Sequence, residues 1–218
     1  MATFSVTANS SSTIGYAQYG SSSWSTGSSS GACQGAYQGT TAAKSRVGVM
    51  VFNGAGALKG KLIQSIALTI TCSGAGSGSS SKKLTFCKAN YQSLNTSVRG
   101  SAQVGATMGT LTGKFYSNTV THTLNESTNA ALFAAMKAYF EAGNSALVLY
   151  NGETSSSSGY SSNYARVTSC TLTVTYIDAV VWYCDNGTWK RCTVWYRTGG
   201  AWQQVVPYYN SGGTWVRV

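Results

Sequence analysis

The chain has 218 residues, 15 of them basic and 5 acidic, so only 9% are charged and the formal net charge is +10. Typical soluble proteins carry roughly a quarter charged residues, so solubility here rests on Ser, Thr, Gly, Asn and Gln. The basic residues are scattered, with Lys82-Lys83 and Lys190-Arg191 as the longest runs. That argues against the dense stripe of a specific nucleic-acid binder and leaves a general attraction to anionic cell-surface polymers.

Residues 1–43 contain no charged side chain. They open with an alternating, strand-like Thr3-Phe4-Ser5-Val6-Thr7 and continue through Ser/Gly-rich segments punctuated by Tyr16, Tyr19, Trp24 and Tyr37. The low complexity predicts an extended arm or a set of long surface loops. Residues 45–53 (SRVGVMVFN) read as a strand, and 61–73 (KLIQSIALTITCS) alternate with Leu62, Ile66, Leu68 and Ile70 on one side. After a Ser/Gly loop at 73–81, KKLTFCKAN (82–90) and LTGKFYSNTVTHTL (111–124) read as further strands. One helix is expected from Thr128 to Ala142, with Leu132, Phe133, Met136, Tyr139 and Phe140 on one face. Ser127 or Asn125 is the expected N-cap and Gly143 the stop. ALVLYNG (146–152) and ARVTSCTLTVTYID (165–178) resume the strand pattern across a Ser-rich loop at 154–162. The fold class is therefore all-β: a jelly-roll or β-sandwich with one short helix over 1–178, followed by a small antiparallel β-meander over 180–218.

The C-terminal stretch is a tandem repeat. Trp189, Trp202 and Trp215 are spaced 13 residues apart, each preceded by a turn signal (NGTW, GGAW, GGTW) and an upstream aromatic pair, Trp182-Tyr183, Trp195-Tyr196 or Tyr208-Tyr209. Asn-Gly and Gly-Gly suit two-residue hairpin turns because both central positions accept positive φ. The expectation is a four-stranded meander of 180–185, 188–198, 201–211 and 214–218, with Cys184 opposite Trp189, Arg197 opposite Trp202 and Asn210 opposite Trp215. Alternation then places Trp182, Trp189, Arg191, Trp195, Arg197, Trp202, Gln204, Tyr208, Trp215 and Arg217 on one face, with Cys184 and Asn210. The other face, with Tyr183, Cys192, Val194, Tyr196 and Val205, reads mainly as core. Cys184 and Cys192 fall on opposite faces, which disfavours a disulfide across the hairpin. Arg197 is expected to stack on Trp202. Pro207 lies mid-strand, where it removes a ladder donor.

Two resemblances accompany these motifs. RVGVMVF, LKGKLIQSIALTITCS and SCTLTVTY give 1–178 a layout that resembles jelly-roll domains of the carbohydrate-binding-module type, and it carries no site residues across. WQQVVPYYNSGGTWVRV resembles the C-terminal ends of bacteriophage tail and minor structural proteins. The first copy departs from it, with Cys192 and Val194 where the second has Val205 and Pro207. The second resemblance implies a virion component, a fibre or appendage.

Catalytic constellations are thin. The acidic residues are Glu126, Glu141, Glu153, Asp178 and Asp185, and they read as solvated surface carboxylates rather than a converging glycosidase pair. His122 reads as a strand histidine with a structural hydrogen bond; no G-x-S-x-G elbow accompanies it. The Gly-rich run at 74–80 lacks the Lys-Ser/Thr ending of a phosphate loop. Six cysteines (Cys33, Cys72, Cys87, Cys170, Cys184 and Cys192) contain no C-x-x-C pair, so neither a metal nor a cofactor is expected. Their even number permits three disulfides, whereas assembly in a cytosol would leave them reduced. No basic-apolar signal segment and no 18-residue apolar run is present, so neither signal-driven export nor membrane insertion is expected.

The expected function is a non-enzymatic phage virion structural protein, a tail or head appendage assembled in the host cytoplasm with other virion proteins. A homo-oligomer is expected, with a trimer as its order. The Trp/Arg face would then lie in an assembly interface or contact a host-surface glycan. A carbohydrate-binding adhesin module and a polysaccharide depolymerase are the alternatives.

Overall fold

Strand β11 (Ala165–Ile177) carries Val167, Cys170, Leu172 and Val174 inward, with Thr171, Thr173 and Thr175 between them. This period-two pattern suits a sheet with one buried face. The computed structural model describes residues 1–37, 41–73, 81–154, 159–177, 181–192, 194–204, 208–211 and 214–217. β11 pairs antiparallel with β1 (Ala2–Ala8) on one side and β6 (Leu62–Cys72) on the other, and β6 pairs with β9 (Thr119–Leu124). The strand β4 (Ala32–Gln34) pairs with the start of β11. The second sheet runs β3 (Ser25–Thr26), β2 (Ile14–Gln18), β5 (Arg46–Val51), β10 (Ala146–Leu149), β7 (Lys82–Ala89) and β8 (Val104–Gly113). The two antiparallel sheets form a β-sandwich, as the sequence pattern predicts.

The N-terminal segment is not an arm among the described residues. Its strands β1 to β4 belong to the two sheets, and Ile14, Ala32, Cys33 and Gln34 are fully buried. Low side-chain complexity hid the backbone pairing that Ser and Thr support equally well. The aromatic punctuation has specific work: Tyr19 stacks on Tyr150 at 4.9 Å, and the Trp24 indole N–H donates to Val98 O at 2.9 Å. Together with Leu94 and Val104 these rings cover the outer face of the second sheet, where Val47, Val49, Val51, Cys87 and Val148 are buried. Its central strands β5 and β10 are thus buried on both faces, which explains their unbroken apolar runs.

The outer face of the first sheet is polar and largely made of threonines. Thr7, Thr171, Thr69 and Thr121 form one row across four strands. Hydroxyls bond across neighbouring strands at Thr7–Thr171 (2.8 Å) and Thr69–Thr121 (3.0 Å). Such cross-strand pairs add a few tenths of a kcal/mol each and keep the face soluble without charge.

Three expectations change. Residues 111–124 are not one strand: β8 ends at Gly113 in the second sheet and β9 begins at Thr119 in the first, so the chain crosses between sheets at 114–118. A short helix α1 (Gly100–Gln103) precedes β8. The helix α2 spans Ala130–Glu141 and buries Leu132, Phe133, Met136, Tyr139 and Phe140 as expected, against β6, β8 and β9. Its N-cap is Asn129 in the left-handed region (φ 54°) without a side-chain capping bond. Asn125 Oδ1 instead accepts from the Ser127 and Thr128 amides at 2.9 and 2.8 Å, one turn earlier. Gly143 ends the helix at φ 90°.

Strand β4 ties the sheets together. It pairs with β11, while the next residue, Gly35, bridges Arg46 at the start of β5. The crossing is close: a Cβ on Gly48 would lie 2.6 Å from Cys33 N and 2.7 Å from the Ala32 carbonyl carbon. Since both obstacles are backbone, Gly48→Ala should destabilise the domain by about 1–3 kcal/mol. Urea denaturation with an unchanged m-value would check this.

Candidate functional site

The tandem repeat folds as three separate two-stranded ribbons: β12 (Val181–Asp185) with β13 (Thr188–Cys192), β14 (Trp195–Thr198) with β15 (Ala201–Gln204), and β16 (Tyr208–Ser211) with β17 (Thr214–Arg217). The expected register is present in each. Cys184 pairs with Trp189 and Trp182 with Arg191. Arg197 pairs with Trp202 and Trp195 with Gln204. Asn210 pairs with Trp215 and Tyr208 with Arg217. The turns follow the chemistry of their residues: Asn186 and Gly187 take φ 49° and 79°, and Gly199 and Gly200 take 56° and 83°.

The expected strand 188–198 is interrupted at Val194, which lies in neither β13 nor β14. Of the expected strand 201–211, residues 201–204 and 208–211 are strand among the described residues. The expectation for Pro207 falls within 205–207, outside the described residues. The side chains of Trp182, Trp189, Arg191, Gln204, Tyr208, Trp215 and Arg217 also lie outside them. For these residues the backbone register is the finding.

The central ribbon is described in full chemical detail at four of its aromatic and basic positions. Trp195, Tyr196 and Trp202 are exposed by 54%, 61% and 64%. The Arg197 guanidinium carbon lies 5.9 Å from the centroid of the Trp202 ring, the expected cation–π contact. Tyr196 departs from expectation: it alternates with the Trp/Arg side chains yet is exposed rather than core. A ribbon of four residues per strand has no second layer of its own, so both faces meet solvent.

Elsewhere Glu126 is exposed, as expected of a solvated carboxylate, whereas Glu141 and Glu153 are engaged within the protein. Glu153 is half-buried and organises the 161–163 turn. Ser161 Oγ donates to Oε2 at 2.6 Å, Ser162 Oγ to Oε1 at 2.9 Å and Asn163 Nδ2 to Oε1 at 2.7 Å. The Asn163 amide approaches both oxygens at 3.3 and 3.1 Å. Burial alone would raise this carboxyl, but the donated hydrogen bonds outweigh it and hold Glu153 below the ordinary glutamate value. Ser45 Oγ donates to the Glu153 carbonyl. The turn is joined to β7, where Asn163 Oδ1 accepts from Lys83 N at 2.8 Å. Gln34, fully buried, donates to Lys83 O (2.6 Å) and Asn163 O (2.9 Å) and accepts from Thr85 N (2.9 Å).

Lys82 is likewise interior: only 2% exposed, its Nζ donates to Tyr164 O at 2.7 Å. Burial lowers its pKa, opposed by nearby Cys72 and Glu153. Strand alternation separates it from exposed Lys83, so the basic pair is not a surface patch. Among the described cysteines, Cys33, Cys72, Cys87 and Cys170 are buried and free. Burial pushes Cys33 and Cys72 up to about 12 and raises Cys87 and Cys170, which keeps these thiols protonated and unreactive. His122 Nε2 is buried without a hydrogen-bond partner, so the expected structural bond is absent at that nitrogen; the ring packs 5.4 Å from Phe115 instead. Burial lowers its pKa.

Glu126 and Glu141 both line an open groove of about 450 Å³ along α2, with Phe133, Lys137 and three alanines. Glu141 accepts from Ile63 N at 2.8 Å. Ala130 and Glu141, at the two ends of α2, stand ~16 Å apart at 1.5 Å rise per residue. Glu126 precedes the first turn, which sets it at the far end of the groove from Glu141. Asp178 lies outside the described residues. No metal-ligand cluster occurs among the described residues, and no helix among them is long and apolar enough to cross a membrane. The chain matches no protein-family model, and no curated protein shows significant sequence similarity to it.

Glu153 yields a pH test. Its folded pKa is depressed, so its stabilisation is present above the ordinary carboxylate value and disappears as pH falls through the folded value. Thermal unfolding midpoints should therefore drop as the pH goes below about 4. Glu153→Gln should lower the midpoint at neutral pH and flatten that acid limb; an unchanged limb would show that the carboxylate is not its source.

Proposed function

We propose that the chain is a non-enzymatic structural protein of a bacteriophage particle, a tail or head appendage that assembles in the host cytoplasm. Its C-terminal aromatic ribbons serve as the docking element toward further copies and other particle proteins. One observation carries this reading. Trp195, Tyr196 and Trp202 sit more than half exposed on a ribbon of two four-residue strands. A lone two-stranded ribbon is marginal in water, and each such ring offers 150–250 Å² of mainly apolar surface. Both costs are relieved together when a partner covers the ribbon. Tyr and Trp with an arginine are also the side chains that dominate interface energetics.

The chemistry elsewhere supports a non-catalytic role. The half-buried carboxylate Glu153 is saturated by local donors, Glu141 holds a backbone amide, and the described thiols are protonated. The tandem repeat supports the virion assignment through its likeness to phage tail and minor structural proteins.

A second reading, a glycan-binding adhesin, draws on the same ribbon. Arg197 over Trp202 supplies ring face and hydrogen-bond donors side by side, the pairing that a sugar's C–H face and hydroxyls require.

Sedimentation velocity tests assembly. The native chain should form a closed oligomer at micromolar concentration. The double variant Trp195→Ser/Trp202→Ser should sediment as a smaller species with an unchanged far-UV spectrum. A native chain that remains monomeric, or an oligomer indifferent to the double substitution, would overturn the docking role. Loss of glycan-array binding in that variant, with the oligomer intact, would favour the adhesin reading.

A further inference from the structure

The two sheets protect their edges unequally. A strand at the end of a sheet offers unpaired N–H and C=O groups to another chain, and proteins blunt such edges with charge, proline, bulges or shortness. In the second sheet one edge strand, β3, has only two residues, and the ladder of the other, β8, shifts register at two places along β7. β1 has none of these devices. It runs for seven residues, pairs with β11 in unbroken register at every one of them, and contains neither a charged residue nor proline. Among the described residues no strand pairs with its other side.

Its side chains are also incompletely covered. Thr3, Ser5 and Thr7 are exposed on the outer face. Phe4 and Val6 pack against the core but stay half-buried at the edge of the sandwich. A further strand added at β1 would extend the threonine row outside and cover Phe4 and Val6 inside.

The order of residues in β1 selects that strand. Ala2-Thr3-Phe4-Ser5-Val6-Thr7-Ala8 reads nearly the same in both directions about Ser5. An antiparallel partner of the same sequence, related by a two-fold axis at Ser5, sets Ala2 opposite Ala8, Thr3 opposite Thr7, Phe4 opposite Val6 and Ser5 opposite its own copy. Each face then meets its like. Hydroxyl meets hydroxyl, as Thr7 meets Thr171 at 2.8 Å within the chain, and an aromatic ring meets a β-branched side chain, a favourable cross-strand pair. A two-fold contact requires such self-complementarity. Although the chain carries a net charge of +10, β1 places no like charges across the contact.

The other edge of the first sheet lacks this symmetry. β9 carries His122 on the same side as buried Leu68 of β6. A two-fold centred on Thr121, His122 or Thr123 would set the imidazole against Val120, itself or Leu124.

From this arrangement we infer that β1 is a pairing edge for a second copy of this chain, joined antiparallel about Ser5 so that the first sheets of two copies become one. The contact is separate from the C-terminal ribbons and does not rest on the docking role proposed for them.

Sedimentation velocity of the full chain carrying Trp195→Ser/Trp202→Ser, which takes away the ribbon rings, isolates this edge. That chain should form a dimer at micromolar concentration. Adding Thr3→Lys/Thr7→Glu should keep the dimer, because each introduced lysine faces an introduced glutamate across the two-fold. Adding Thr3→Lys/Thr7→Lys or Thr3→Glu/Thr7→Glu should weaken it about tenfold, since like charges are then opposed twice. All three sets lose the Thr7–Thr171 hydroxyl contact alike, so the matched set controls for folding. A monomeric ribbon variant would overturn the inference and leave the ribbon docking role standing. So would like-charged sets that associate as well as the matched one, which would mark a parallel or unlike partner strand, or a matched set as weak as the like-charged ones.

Discussion

The sandwich depends on the backbone ladder of β11. This one strand joins β1 from the start of the chain, β4 from the low-complexity segment and β6 from its middle. The contact between Thr7 and Thr171 spans 164 residues. Without β11 the first sheet has no centre, and β1 and β4 lose their strand partner. Pairings of such sequence separation must overcome loop-closure entropy before they contribute. The domain is therefore cooperative by construction, with its earliest residues placed by its latest.

That dependence accounts for what could and could not be read in the sequence. β6, β11 and α2 declare themselves because one face is apolar at the period of the element, and the hairpin register follows from the turn residues. Beyond the alternation of Thr3–Thr7, residues 8–34 do not declare themselves, since Ser, Thr and Gly satisfy a strand's backbone as well as a loop's. β1 and β4 are placed by partners more than a hundred residues away, and β2 by β5 about thirty residues on. The crossover at 114–118 was hidden because Thr-rich strands on either side of it share one composition. The Arg197–Trp202 contact was legible from register alone. The exposure of Tyr196 was not, because alternation assigns faces without saying whether a second layer exists.

Charges are few, and some of the most buried are used inside. Lys82 donates to the Tyr164 carbonyl, and Glu153 collects the 161–163 turn. Neither role is visible in a linear reading, since their partners lie across loops. Gln34 adds a neutral clamp with donors and acceptor all occupied. Such satisfied interior polar groups fix a single arrangement where an apolar contact would tolerate several. The outer face of the first sheet needs no charge, because its threonines bond to one another across the strands.

The two aromatic surfaces differ in what supports them. The tyrosine ladder of Tyr37, Tyr160 and Tyr164 rests on a buried ring, one backbone hydrogen bond, one from the Ala36 amide to the Ser161 hydroxyl, and the Glu153 carboxylate. The central ribbon has a single turn, four residue pairs and one cation–π contact among its described side chains. Exposed contacts of that kind supply about 0.5–1 kcal/mol, too little to order a two-stranded ribbon against its chain entropy. A marginal ribbon suits a partner large enough to cover both faces, because the same contact that binds it also completes its fold. The two aromatic surfaces thus differ in how each is held: the tyrosines by the sandwich beneath them, the ribbon by its turn and its own strand pairing.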